Sequence, residues 1–132
     1  MTERFRYQVR VQYQDTDQGG VVHHAAYLRY MEQARVELLR RVGIDYGQFE
    51  RETGKGLPVA EVHSRYKRPA FFDDLLEVET WVGLVNRAKL RFEYRVWRGE
   101  ELLNEAQITC ACIRFDQMRI CSMDEQIRAA FE

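Results

Sequence analysis

A change of hydrophobic period between residues 5 and 43 constrains the fold more than any other feature of the chain. In FRYQVRVQY, residues 5–13, apolar and polar positions alternate strictly. Phe5, Tyr7, Val9, Val11 and Tyr13 point one way, and Arg6, Gln8, Arg10 and Gln12 the other, which is the pattern of a half-buried strand. Over residues 25–43, AAYLRYMEQARVELLRRVG, the period becomes helical: Tyr27, Met31, Ala34, Leu38 and Val42 recur in steps of three and four, with Tyr30 beside them. Gly43 is placed to end this helix. Arg29, Glu32, Glu37, Arg40 and Arg41 form its solvated side, and its many apolar residues predict deep packing against a sheet.

After the helix, residues 44–56 (IDYGQFERETGKG) read as a short connection, irregular or weakly helical. Strand patterns then follow one another at 57–66, 75–85, 88–97 and 102–115. In the third, Leu90, Phe92, Tyr94 and Val96 share a face, and RGEE at 98–101 makes a hairpin turn into the fourth. Ser122, with Glu125 three residues on, resembles a capping box opening a short terminal helix. The order is strand, long helix, four strands and terminal helix. It predicts a single α+β domain over 1–132 with an antiparallel sheet wrapped around one helix. Such a sheet leaves an edge and a surface open, so an oligomer is expected.

With 45% hydrophobic and 31% charged residues, the chain can build a packed core. Its 20 basic and 21 acidic residues nearly balance, which argues against a general nucleic-acid binder. No apolar run approaches the ~20 residues that span a bilayer, and MTERFRYQVRV is no apolar signal segment. A cytoplasmic location without membrane insertion is therefore expected. Cys110, Cys112 and Cys121 are too few for a disulfide framework. Cys110 and Cys112 fall on one face of a strand and read as small buried hydrophobes.

The chemistry concentrates in YQDTDQGGVVHH, residues 13–24. A metal site is disfavoured: adjacent His23 and His24 cannot easily face one ion, and His63, the remaining histidine, lies in another strand. No G-x-S-x-G elbow and no nucleotide-binding glycine signature occurs. A carboxylate site remains. Asp17 enters a turn that Gly19 and Gly20 let bend sharply, and the helix-start amides behind it can donate to a polarised oxygen. Alternatively, both aspartates only shape the turn. On the residues alone both readings stand for Asp17, and Asp15 and His23 take structural roles.

The segments VQYQDTDQGGVVHHAAYLRYMEQAR, GLPVAEVHSRYKRPAFFDDLLEVET, RFEYRV and TCACIRF together resemble the hotdog-fold acyl-CoA thioesterases of the 4-hydroxybenzoyl-CoA thioesterase group. Within that group the likeness is to the YbgC-like branch associated with the Tol-Pal system of Gram-negative bacteria. The resemblance covers essentially the whole chain. It implies a helix wrapped by an antiparallel sheet, and homodimers, usually paired into homotetramers, with active sites at the dimer interface. It also implies Asp17 as nucleophile or general base, accompanied by Tyr13 and His24, with backbone amides at Gly56 and His24 polarising the thioester carbonyl.

The implied substrates are short-chain or small aromatic acyl-CoA, and an acyl carrier protein is a possible partner. No cofactor is needed beyond the CoA of the substrate. Because CoA carries phosphates, Arg68, Arg87 and Lys89 are the expected basic contacts. A hotdog hydratase or dehydratase, and a non-enzymatic carrier-binding role, are the competing functions. Tyr13, closing the alternating face, reads equally well as a core aromatic.

Overall fold

The computed structural model describes residues 4–132; residues 1–3, the start of the stretch read for a signal segment, lie outside the described residues. Strand β1, Phe5–Arg10, shows the alternating burial its sequence dictates. It stops earlier than the alternation suggests. Val11 donates its amide to Asp74 O and stays buried, and the chain then closes a single 3-10 turn, Tyr13–Asp15. The cause is Asp15, whose carboxylate accepts the Gln12 amide at 2.9 Å and pulls the backbone out of the strand. Tyr13 thereby leaves the apolar face. It is 77% exposed, touching Phe72 edge-on, so the core-aromatic expectation for Tyr13 is corrected.

Helix α1, His24–Arg41, buries Ala26, Tyr27, Tyr30, Met31, Ala34, Leu38 and Leu39. Gly43, at φ 94°, continues the chain in the left-handed region that glycine tolerates, as its position predicts. Around α1 wraps a five-stranded antiparallel sheet in the order β1-β4-β5-β6-β3. Its strands are β3 Val59–Tyr66, β4 Leu75–Val85, β5 Lys89–Arg98 and β6 Glu101–Ala111. Leu76, Val78, Leu90, Phe92, Tyr94, Val96, Leu103 and Ile108 are the sheet's share of the core. Each large apolar side chain buried there contributes about 1.5–3 kcal/mol. The Tyr94 hydroxyl donates to Met31 O at 3.1 Å and ties the sheet to the helix. This is the α+β arrangement of a sheet wrapped on one helix that the element order predicts, and the hotdog fold that the resemblance implies.

Three segments depart from expectation. Residues 46–53 form a regular helix, α2 (Tyr46–Thr53): Asp45 caps it by accepting the Gln48 amide, and Gly54 ends it at φ 70°. With Phe49 its one buried residue, it has too short an apolar stripe to show as a period. The strand expected at 102–115 leaves the first sheet after Ala111, the Cys112 amide making one last in-register bond to Ala88 O just before β5 begins. Ile113–Arg114 (β7) instead joins Lys55–Gly56 (β2) and Arg119–Ile120 (β8) in a second, three-stranded sheet. The terminal helix α3, Glu125–Phe131, is capped by Asp124, not Ser122, because the Asp124 carboxylate reaches the Gln126 amide at 2.8 Å.

β3 is one edge of the five-stranded sheet, β1 being the other. It pairs with β6 on one side, and Val59, Val62 and Tyr66 are 45%, 39% and 41% exposed. An apolar, solvent-facing edge strand of this length is a site for pairing with another chain.

Candidate active site

The 13–24 loop is built on Asp15. That residue is 1% exposed. Its carboxylate accepts from the Gln12 amide (2.9 Å), the Tyr30 hydroxyl (2.8 Å) and the Arg29 guanidinium. Burial pushes the Asp15 carboxyl up, but those three donors prevail and hold it below the usual carboxylate range. The same contact, after burial, raises the Tyr30 hydroxyl. The structural role assigned to Asp15 is thus what the geometry displays.

Anchored there, the chain makes a tight turn: Asp17 donates to Val21 O at 2.9 Å and Gly20 to Asp17 O at 3.0 Å. Gly19 and Gly20 have φ of 99° and 78°, values that require glycine. The turn is lashed to residues 70–72 by Val22 N to Ala70 O and Phe72 N to Gly20 O. That second segment is held by Asp74, which accepts from Phe71 N and from Arg98. Asp17 is exposed at the start of the turn, seven residues before the start of α1.

His23 is the cap of α1 and lends no side-chain hydrogen bond. The first amides of the helix, beginning with His24, have no intrahelical acceptor and sit at the positive end of its dipole. The His24 ring is exposed and meets Tyr66 edge-on at 4.6 Å, while the Tyr66 hydroxyl reaches His24 O at 3.4 Å. Tyr66 is a site neighbour that no local sequence pattern announces, because the contact joins β3 to α1 across 42 residues.

Asp17, His24 and Tyr13 lie on one loop at one end of the molecule, held by His23 N to Asp15 O and Phe72 N to Gly20 O. Gly56 lies at the other. Leu57 and Pro58 separate it from the start of β3, and it is the far end of β3, at Tyr66, that meets His24. The seven residue steps from Val59 to Tyr66 span about 23 Å at ~3.3 Å each. Gly56 pairs with Ile113, and Phe115 N donates to Gly54 O two residues earlier. The antiparallel alternation then directs the Gly56 amide into this ladder. A Cβ at Gly56 would stand 2.2 Å from the Phe115 ring, so the glycine makes room for that ring. Beside it opens a cavity of about 430 Å³, lined by Val36, Leu39, Leu57, Phe92 and Phe115, with Arg35 among its polar walls. The Tyr46 hydroxyl braces its rim by accepting the Leu57 amide at 2.7 Å.

The basic candidates divide in the same way. Arg68 lies at the Asp17 end and is paired with Glu101 at 2.7 Å. Arg87 and Lys89 are exposed at the β4–β5 turn, where Asn86 caps the Ala88 and Lys89 amides. Lys89 pairs with Ala111, whose amide reaches Pro58 O, so this pair belongs to the Gly56 end. His63 is exposed beside Glu61, away from both ends. Among the described residues no cluster of three or more His, Cys, Asp or Glu is placed to hold a metal ion. None of the helices among those residues is long and apolar enough to cross a membrane.

Residues 11–131 match the model of the thioesterase-like superfamily. The acyl-CoA thioesterase YbgC of Haemophilus influenzae is 38% identical over 127 residues, covering 96% of this chain and 93% of its own. The acyl-CoA thioester hydrolase YbgC of Escherichia coli O6:H1 is 36% identical over 132 residues, covering 99% and 98%. Among solved structures, a hypothetical protein of Thermus thermophilus superposes with a TM-score of 0.90 at 35% identity, covering 98% of this chain and 95% of that one.

Proposed function

The chain belongs to the thioesterase-like superfamily, and we propose that it hydrolyses acyl-CoA thioesters at a site completed by two copies of itself, with Asp17 as the reacting carboxylate. The observation that carries this reading is the separation of the two half-sites by one strand length along an unpaired apolar edge. If two β3 strands pair antiparallel about a two-fold axis, the Val59 end of one lies beside the Tyr66 end of the other. Asp17 and His24 then face the partner's Gly56 and the cavity behind it. The partner's Arg87 and Lys89 come from the same side, and Arg68 from this one, to meet the CoA phosphates.

In such a site the thioester carbonyl oxygen points at the His24 amide and the positive end of α1, which stabilise the oxyanion. Asp17 attacks the carbonyl carbon or takes a proton from the attacking water, and the CoA thiolate departs. The His24 imidazole and the Tyr13 hydroxyl orient the carboxylate or the water. A cavity of about 430 Å³ is at the small end for ligand pockets, which suits short-chain or small aromatic acyl groups. Further pairing of dimers gives a homotetramer, and an acyl carrier protein is an alternative thioester donor.

The test is thiol release from a panel of acyl-CoA substrates by the wild type and by Asp17→Asn. The variant should lose about 10²–10⁴-fold in rate and keep the wild-type sedimentation coefficient. Wild-type hydrolysis by Asp17→Asn removes Asp17 from the mechanism. Absorbance change on crotonyl-CoA without thiol release would favour a hydratase instead.

A further inference from the structure

The β7–β8 hairpin ends in two cysteines that face each other. Cys112 and Cys121 lie one register step beyond the Ile113–Ile120 pair, and Cys121 N donates to Cys112 O at 2.9 Å. Their sulfurs are 3.5 Å apart. Residues directly opposite in a hydrogen-bonded antiparallel pair have Cα atoms about 5.5 Å apart, inside the roughly 4.4–6.8 Å range of disulfides. Bonding requires the sulfurs to approach to about 2.05 Å, a movement that side-chain rotation and a slight pinch of the hairpin can provide.

We propose that Cys112 and Cys121 are a modification site, forming a reversible intramolecular disulfide when a small-molecule disulfide of the glutathione type is available. Cys121 is half-buried and Cys112 buried, so Cys121 is reached first. Its thiolate attacks one sulfur of the small disulfide and expels the other as a thiolate. Cys112, deprotonated, then attacks the Cys121 sulfur of the mixed disulfide and expels the second small thiolate. The two protons lost by the protein thiols are taken up by the two released thiolates. Two cysteines are oxidised and one external disulfide is reduced. Burial, and then the neighbouring Cys121 thiol, push Cys112 up to about 11, so the resolving step accelerates as pH rises.

The placement ties this site to the cavity. The hairpin that the bond would close carries Phe115, the ring packed on Gly56 and part of the cavity wall. A covalent link at the hairpin's base restricts how far Phe115 can move. Its effect on substrate binding rests on the acyl-CoA reading above; the bond itself does not.

The experiment incubates the full chain with oxidised glutathione, then counts alkylatable thiols after denaturation and maps the linked peptides. Two of the three thiols should disappear, with a Cys112–Cys121 peptide recovered and both thiols restored by dithiothreitol. Cys110→Ser should behave like the wild type. Cys112→Ser should stop at a glutathione adduct on Cys121, and Cys121→Ser should stay unlinked. Three free thiols after oxidation, a link through Cys110, or a link between subunits overturns the proposal. The oxidised enzyme should show a KM for acyl-CoA changed at least about threefold with reversal on reduction, and an unchanged KM overturns the coupling to the cavity. A chain that forms the bond but hydrolyses no acyl-CoA leaves the disulfide standing and refutes the proposed function.

Discussion

The two aspartates of the turn are two residues apart, and the structure gives them separable fates. Asp15→Ala removes a buried carboxylate that satisfies the Tyr30 hydroxyl, the Gln12 amide and Arg29. The Tyr30 hydroxyl is buried and would be stranded at a cost of about 1–3 kcal/mol. The Gln12 amide adds about 1 kcal/mol, and Arg29, which is nearly half exposed, is rehydrated and adds little. The total is about 2–4 kcal/mol, or a fall of roughly 6–15 °C in Tm for a chain of this size. Asp17→Ala removes an exposed side chain and should shift Tm by no more than about 2 °C. The assay is thermal unfolding followed by circular dichroism at one protein concentration, since subunit association stabilises the folded state. Thiol release is measured alongside, well below both midpoints. Asp15→Ala should be the unstable variant that still turns over, and Asp17→Ala the stable one that does not. A pH series adds a second check. The Asp15 carboxyl is held below its ordinary value, so its stabilisation is present above the unfolded-state value of about 3.9 and is lost as pH falls through the lower folded value. The stability gap between wild type and Asp15→Asn should therefore narrow below about pH 4. The account of the turn fails if Asp15→Ala melts within about 3 °C of wild type, or if Asp17→Ala loses as much.

Val62→Asp places a carboxylate on the exposed edge strand. It should leave the protomer within about 0.5 kcal/mol of wild type and yield an inactive monomer by sedimentation velocity. An active dimer would move the interface elsewhere. Gly56→Ala drives a methyl into the Phe115 ring and should cost about 1–3 kcal/mol in urea unfolding. Adding Phe115→Ala should recover part of that loss, because the two side chains share the clash. A double variant no more stable than Gly56→Ala would mean that the backbone, not Phe115, takes up the strain.

What was legible in the sequence follows from how far each interaction reaches along the chain. α1 and the strand faces repeat one requirement, burial against a common core, over many residues, and the period displays it. The structural role of Asp15 was readable from its turn, but its partners were not: Gln12 read as a strand residue, Tyr30 as part of the apolar stripe and Arg29 as solvated. α2 was legible only as an irregular or weakly helical connection, because its eight residues bury one side chain. The end of β6 is not legible because it is set by its partner: β5 begins at Lys89, so past the Cys112 bond to Ala88, 24 residues back, β6 has nothing left to pair with. Tyr13 was misplaced for a related reason: alternation describes a strand only while the backbone stays extended, and a carboxylate two residues downstream ends it.

The site itself divides along the same line. Asp17 and His24 are separated by one short loop, so a local motif could name them. Gly56 and its cavity stand a full strand away in the same protomer, and no local pattern could tell which copy's Gly56 faces which Asp17. An exposed carboxylate alone is a poor catalyst for thioesters, because water screens its charge and competes for the oxyanion donors. The edge strand supplies what is missing. β3 carries apolar residues that a lone protomer leaves in solvent, and in the proposed dimer pairing there would both bury them and close a wall over Asp17. On that proposal association and catalysis are one requirement on β3, so a substitution that separates the subunits should abolish hydrolysis without touching any reacting group.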